Sequence, residues 1–207
     1  MISRHKLKRL FRRRLFGLDY GETWQGLDDK FYERLYKKGI KENENFISYI
    51  QNKKLDNVLE IGCGSGMIPR NHKELFNYYT GIDVSKTAIE IARKNSEFKF
   101  IAGDFMKIDL QEKFDLIFSF AVINHVPNVN EFIEKIINHS NRYTYTYASH
   151  DQTIKHDEHK MIFAKNEGIF NTELSIEYIK KQLTGLDVKF KIYFLEKSLV
   201  IETEKDN

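Results

Sequence analysis

Three glycines stand at alternate positions, Gly62, Gly64 and Gly66, in "NVLEIGCGSGMIPRNH", just after an apolar run that carries the carboxylate Glu60. Glycine lets a chain turn sharply from strand to helix and leaves main-chain groups bare for a ligand to lie against. The chemistry suggested is therefore the cradling of a cofactor. Spacing separates the ligand classes. A dinucleotide fingerprint would put its third glycine at residue 67, where Met67 stands, and a phosphate-binding Walker loop needs a Gly-Lys-Ser/Thr that is absent. G-x-G-x-G after an acid is a third pattern.

Two other groups carry reactive side-chain types. His125, in "VINHVPN", has an imidazole that titrates near neutrality and is suited to taking a proton; the competing reading is a ring that packs beside the ligand or bonds its own loop. "SHDQTIKHDEHK" gathers His150, His156 and His159 with Asp151, Asp157 and Glu158. These are metal-ligand types, but their spacing fits no standard zinc pattern, and a polar, solvated loop is the favoured reading. No metal site is assigned.

The elements that position these residues can be read from periodicity. Residues 28–52 read as helical, with Phe31, Leu35 and Tyr36, then Phe46, Ile47 and Ile50, at helical spacing. From residue 57 strands and helices alternate. Strand "NVLEI" leads to a helix from about Ser65, whose first turn must hold Pro69. "YYTGID" leads to "SKTAIEIARKN" with Ser85 as N-cap, and "FKFIAG", "FDLIFSF", "NEFIEKIINH" and "RYTYTYA" follow. Such alternation predicts a parallel sheet with helices on both faces. After a helix around "SIEYIKKQL", the strands "DVKFKIYFL" and "KSLVIETE" meet at Glu196-Lys197, a connection tight enough to demand an antiparallel pair.

Four ordered segments between about residues 55 and 148 make the chain resemble the class I S-adenosylmethionine-dependent methyltransferases of the small-molecule type. They are "VLEIGCGSG", "GIDVS", "IAGDF" and "FDLIFSFAVINHVPN". The resemblance implies a Rossmann-like α/β fold of seven strands, mostly parallel with an antiparallel C-terminal strand, helices on both faces and a helical N-terminal extension. It divides the chain into a basic arm and lid helices, residues 1–54, and a methyltransferase domain, residues 55–207. It implies S-adenosyl-L-methionine as cofactor. Asp83 would accept from the ribose hydroxyls, Asp104 from the adenine amino group, and Phe105 would cover the ring. Glu60 and the backbone of Gly62 and Gly64 would hold the methionine end. Gly66, Val84 and Phe120 complete the implied contacts. Cys63 lies in the loop too, where a small buried side chain is the preferred reading. In similar enzymes the N-terminal segment folds over the cofactor, so Tyr20 and Trp24 are expected at the cleft, with core packing an equal contender. His125 is the candidate base, in a position where the family often has Glu-His and this chain has Asn124-His125.

Composition narrows the partners. The 207 residues, 41% hydrophobic and 30% charged, describe a globular chain with a net charge of +3. Seven basic residues and no acid fall within residues 1–14, leaving 26 basic against 30 acidic residues in the remainder. The body is therefore mildly acidic, which argues against a broad nucleic-acid-binding face. Absence of an Asn/Asp-Pro-Pro-aromatic sequence after the fourth strand also lowers a base-methylating reading. In "RHKLKRLFRRRLFGL" Leu7, Leu10, Phe11, Leu15 and Leu18 line one helical side opposite basic residues, so residues 4–18 are suited to an anionic membrane surface or an acidic, phosphorylated acceptor. Packing of that stripe on the protein itself is the commoner outcome. No apolar run nears about 20 residues, no secretory signal is read, and a single cysteine fits a reducing compartment; a cytoplasmic setting is expected. The reading is methyl transfer to oxygen or nitrogen of a small molecule. The alternatives are an RNA methyltransferase using the basic arm and a non-catalytic cofactor-binding scaffold. A nicotinamide oxidoreductase is disfavoured by Met67.

Overall fold

The computed structural model describes residues 24–149, 158–164, 169–196 and 198–206. The basic arm with Tyr20, and His150, Asp151, His156 and Asp157 of the histidine cluster, lie outside the described residues.

Residues 28–52 form two helices where the periodicity suggested one stretch. Helix α1 (Asp29–Lys38) is N-capped by Asp28, whose side chain accepts from Phe31 N; it stops at Gly39, and α2 (Ile40–Ile50) begins there. Glycine weakens a helix interior by about 1 kcal/mol relative to alanine, so the break falls where the helix is least favoured. The alternating part matches expectation: β1 (Asn57–Ile61), β2 (Tyr78–Asp83), α4 (Lys86–Asn95), β3 (Lys99–Ala102), β4 (Phe114–Phe120), α5 (Val129–His139) and β5 (Ser140–Ser149). Ser85 caps α4 by accepting from Ala88 N at 3.2 Å. Between β1 and β2, α3 (Met67–Asn71) has only five residues and starts after Gly66, with Pro69 in its first turn.

The seven-stranded sheet has the order β3-β2-β1-β4-β5-β9-β8, where β8 (Lys189–Leu195) and β9 (Ser198–Glu204) form the expected C-terminal hairpin. All pairs from β3 to β5 are parallel, and β9 is antiparallel to both β5 and β8. Six strands thus run one way and one runs against them. Between β5 and α6 (Ile176–Gly185) lies a separate two-stranded antiparallel unit, β6 (Lys160–Ala164) with β7 (Ile169–Glu173), which periodicity did not single out.

Alternation along the strands sends residues to two cores, one on each face. Leu59, Ile61 and Ile117 pack with Phe132, Ile136 and Leu183 on the side of α5 and α6. Val58, Leu116 and Phe118 pack with Phe46, Ile89 and Tyr145 on the side of α2 and α4, where the Phe46 and Phe118 rings stack at 4.4 Å. The strand order reverses between β1 and β4, and ligands of such sheets bind outside the carboxyl ends at that switch point. The glycine loop and the turn holding His125 are the segments that follow these two strands.

The cleft at the switch point

A cleft of about 1210 Å³ opens over the carboxyl ends of β1, β2 and β4 and beneath α1. Among the residues named from sequence, Glu60, Gly62, Cys63, Gly64, Asp83, Val84, Asp104, Phe105, Phe120, Trp24 and His125 all line it. Gly66 is not in its wall; it starts α3 from behind, with φ of +74°. Tyr20 lies outside the described residues.

The loop is built on the tip of β2. Gly62 N and Cys63 N both donate to Ile82 O, at 2.7 and 3.2 Å. Gly64 N donates to Asp83 Oδ2 at 2.8 Å, and Ser85 N donates to Asp83 Oδ1 at 2.7 Å. Gly64 adopts φ of +53°, and a Cβ there would stand 2.6 Å from the Tyr32 ring; at Gly62, with φ of +77°, it would stand 2.2 Å from Val122 Cγ2. Backbone conformation and the neighbours therefore both require glycine at these positions. Tyr32 presses down from α1, so the loop is held between helix and sheet.

Asp83 is 9% exposed. Burial pushes its carboxyl upward while the two backbone donors oppose that shift. Each oxygen accepts one N–H, which leaves a second acceptor site on each, matching two vicinal hydroxyls. Beyond it, Gly103 N donates to Asp83 O at 2.8 Å, joining the tips of β2 and β3. Asp104 accepts from Met106 N at 3.0 Å and pairs with Lys107 at 3.4 Å. Phe105 lines the cleft but is chiefly a core ring, 4% exposed and edge-on to Phe132 at 5.7 Å. Glu60 is buried on the opposite sheet face from Leu59, where it accepts from the Tyr79 hydroxyl; burial pushes its carboxyl up to about 8. Burial likewise raises the Cys63 thiol, whose Sγ faces Gly81 so closely that a Cβ there would come within 2.7 Å. A small, buried, protonated side chain is what that corner holds.

On the other side of β1, Phe120 continues the aromatic layer toward Tyr145 and Tyr147. His125 ends a 3-10 turn, Ile123–His125, and its ring lies 5.1 Å from that of Trp24. His159 is not among the residues that line the cleft: it accepts at Nδ1 from Ser175 N at 3.1 Å, packs edge-on to Tyr178, and burial lowers its pKa. Among the described residues no three His, Cys, Asp or Glu side chains converge as a metal site, and no helix is long and apolar enough to cross a membrane.

Three residues escaped the sequence reading. Gln25 straps the N-terminal segment to the β2–α4 loop, donating to Val84 O at 2.7 Å and accepting from Lys86 N at 3.2 Å. Tyr32 covers Gly64, and its only signal was one more aromatic at helical spacing. Asn124 is buried and ties three elements together, donating to Ser149 O and Thr172 O and accepting from Ser149 N. Gln25 and Asn124 bond to partners distant in sequence and Tyr32 meets Gly64 through its ring, and spacing carries no trace of such contacts.

A family model described as a methyltransferase domain matches residues 52–168. The "Probable cobalt-precorrin-6B C(15)-methyltransferase (decarboxylating)" of Thermoplasma acidophilum is 28% identical over 141 residues, 59% of this chain and 69% of that protein. The ubiquinone biosynthesis O-methyltransferase of Glaesserella parasuis serovar 5 is 35% identical over 92 residues, 39% of this chain and 39% of that protein. The chain thus spans two-thirds of the first relative's length and well under half of the second's. In fold, the SAM-bound magnesium protoporphyrin IX methyltransferase of Synechocystis PCC 6803 superposes with a TM-score of 0.61 at 13% identity, covering 99% of this chain and 98% of that one. With its family model spanning more than half of the residues and its glycine loop set at the switch point of a 3-2-1-4-5 sheet, the chain belongs to the methyltransferase-domain family, the class I S-adenosylmethionine-dependent methyltransferases.

Proposed function

We propose that the enzyme transfers a methyl group from S-adenosylmethionine to oxygen or nitrogen of a small molecule within this cleft. The observation that carries the reading is Asp83: a buried carboxylate, fixed by the Gly64 and Ser85 amides, with one acceptor site left on each oxygen. The cofactor supplies an activated methyl group, so the chain's own work is to align the acceptor and exclude water.

On this reading Asp83 binds the ribose and Asp104 the adenine amino group, while Val84 and Phe105 wall the adenosine. Glu60 and the backbone of Gly62 and Gly64 take the methionine end, with Cys63 and Gly66 shaping the loop and Phe120 and Trp24 enclosing the reacting space. In the division into a cover, residues 1–54, and a transfer domain, residues 55–207, the covering part has its support in α1, which presses Tyr32 onto Gly64, whereas α2 packs Phe46 and Ile50 into the core of the sheet. His125, lining the cleft under Trp24, takes the acceptor's proton. A small-molecule acceptor fits the relatives' names, cobalt-precorrin and ubiquinone pathway enzymes. It also fits a cleft above the usual 300–1,000 Å³ of single-ligand pockets, with room for two molecules.

Calorimetric titration with S-adenosylhomocysteine tests the cofactor half. The affinity should fall by about tenfold or more in Asp83→Ala, the loss expected for charge-assisted hydrogen bonds of roughly 1.5–3 kcal/mol. Unchanged affinity would remove the ribose assignment. For the proton acceptor, His125→Ala should lose labelled-methyl transfer into a cell extract at pH 7 while keeping cofactor affinity; surviving turnover would make His125 a packing residue.

A further inference from the structure

The loop between β3 and β4 is held from behind by a cation. Its first residues, Gly103 to Lys107, line the cleft. Asp104 organises the turn: its Oδ1 accepts from Met106 N at 3.0 Å, and its carbonyl accepts from Lys107 N at 2.9 Å and Ile108 N at 3.0 Å. The amides of the turn are thus aimed at Asp104. The carbonyls of Phe105, Met106 and Ile108 are left without a backbone donor among the described residues. One side chain takes all three. Lys135 of α5 donates to Phe105 O at 2.8 Å, to Met106 O at 3.3 Å and to Ile108 O at 2.6 Å, and its Nζ stands 5.0 Å from the centre of the Phe105 ring.

An ammonium has three N–H donors, and here each meets a carbonyl. Converging carbonyls repel one another, like the orphan carbonyls that end a helix, and a cation is the group that joins them. The placement has a cost. Lys135 is half-buried, and burial lowers its pKa against the opposing charges of Asp104 and Asp109. A methionine would pack the same stem with no charge to desolvate. Lys135 is also flanked on α5 by the buried Ile136 and Ile137, so its bonds fix the loop to an element anchored in the core. Lys107, the other cation beside Asp104, is an exposed side chain of the loop itself at 3.4 Å and ties it to nothing outside. Among the described residues every bond of the Asp104 side chain and carbonyl stays within residues 104–108. Where its carboxylate stands therefore depends on what holds those residues: Gly103 on Asp83 at one end, and Lys135 at the other.

We propose that Lys135 is a positioning residue for base recognition: by gathering the carbonyls of Phe105, Met106 and Ile108 it sets the Asp104 carboxylate where a purine must present a donor, which makes the cofactor site selective for adenine over hypoxanthine. This rests on the reading of the same cleft that turns Asp104 toward the adenine amino group. Adenine carries N–H donors at its 6-position, whereas hypoxanthine carries a carbonyl whose lone pairs face those of the carboxylate. Only a carboxylate that is held in place discriminates between them; one that swings with its loop turns to water and loses little with the wrong base. The ribose is read separately, because Asp83 is fixed by the Gly64 and Ser85 amides and not by Lys135.

Calorimetry on the full chain compares S-adenosylhomocysteine with S-inosylhomocysteine, which differs only in the base, and with S-(2′-deoxyadenosyl)homocysteine, which differs only in the sugar. Each comparison is a ratio of affinities within one preparation, so an inactive fraction cancels. The native chain should prefer the adenosyl over the inosyl compound by about tenfold or more. Lys135→Met keeps the stem and removes the donors, and it should cut that preference to about twofold, with Lys135→Gln, which keeps an amide donor, in between. The preference for ribose over deoxyribose should persist in both variants. Lys135→Gln carries the test by itself where the methionine variant does not fold. A base preference that survives substitution of Lys135, or a fall of the base and sugar preferences together, overturns the Lys135 assignment alone. A native chain with no base preference removes the Asp104 reading and this assignment with it, and failure of S-adenosylhomocysteine to bind removes the cofactor reading beneath both.

Discussion

Glu60 shows what one residue inherits from its place in the sheet. Its side chain points from β1 into the aromatic core beside Tyr79, where burial raises its carboxyl to about 8 and the Asp83 charge adds to the shift. A carboxyl raised in the folded state binds more protons there than in the unfolded chain. Its contribution to stability is therefore complete below about 4.5, the value of an unperturbed carboxyl, and is lost as pH climbs through 8. A shift of that size amounts to a few kcal/mol. The melting temperature of the native protein should accordingly fall relative to Glu60→Gln between pH 5 and pH 8, with the glutamine variant gaining as pH rises. Parallel curves would show that Glu60 titrates as an ordinary surface acid. The presence of an acid before the glycines was legible from the motif. Its contact with Tyr79 was not, because the two meet only when β1 and β2 pair.

Elements decide how the cleft is covered. The segment before α1 is strapped to the β2–α4 loop by Gln25, and α1 is clamped to α3 by Arg70, which holds Asp29 at 3.0 Å and reaches Glu33 at 4.0 Å. Opening this cover for cofactor exchange must break the Gln25 bonds, each about 0.5–1.5 kcal/mol net. Stopped-flow release of S-adenosylhomocysteine should therefore quicken several-fold in Gln25→Ala with little change in its melting temperature; an unaltered rate would mean the strap does not limit exit. The helices behind this device were visible as periodic stretches, down to the Ser85 cap. The break at Gly39 could be placed only once Asn43 N was seen bonding to Gly39 O in a second helix. The β6–β7 hairpin was missed for a different reason. Its strands are five residues each and pair only with one another, and the bonds of Asn124 and Thr172 link it to the turn after β4.

At the scale of the molecule, one topological fact organises the rest. Strand order reverses between β1 and β4, which opens a crevice at their carboxyl ends, and two cores support it from either face of the sheet. The cleft runs from the tips of β2 and β3 on one side to those of β4, β5 and the hairpin on the other. The antiparallel β9 ties β5 to the outer β8 and carries Ser198, which holds Tyr147 and through it Glu42. This side of the cleft is thus assembled from parts of the chain as far apart as Glu42 and Glu173, steadied from behind by Ser198.

The sequence by itself determined the fold class, the glycine loop, the acid after β2 and the antiparallel end. All of these are written in local terms: side-chain alternation, turn-permitting residues, and short motifs whose members are close together in the chain. Only the tertiary structure decided which side chains face one another across the cleft, that Glu60 is buried against Tyr79, that His159 packs on Tyr178 at the start of α6 and does not line the cleft, and that Asn171 and Glu173 share a wall with Glu42. Those outcomes depend on strand order and on hydrogen bonds between distant polar groups, and a periodic pattern holds no record of either.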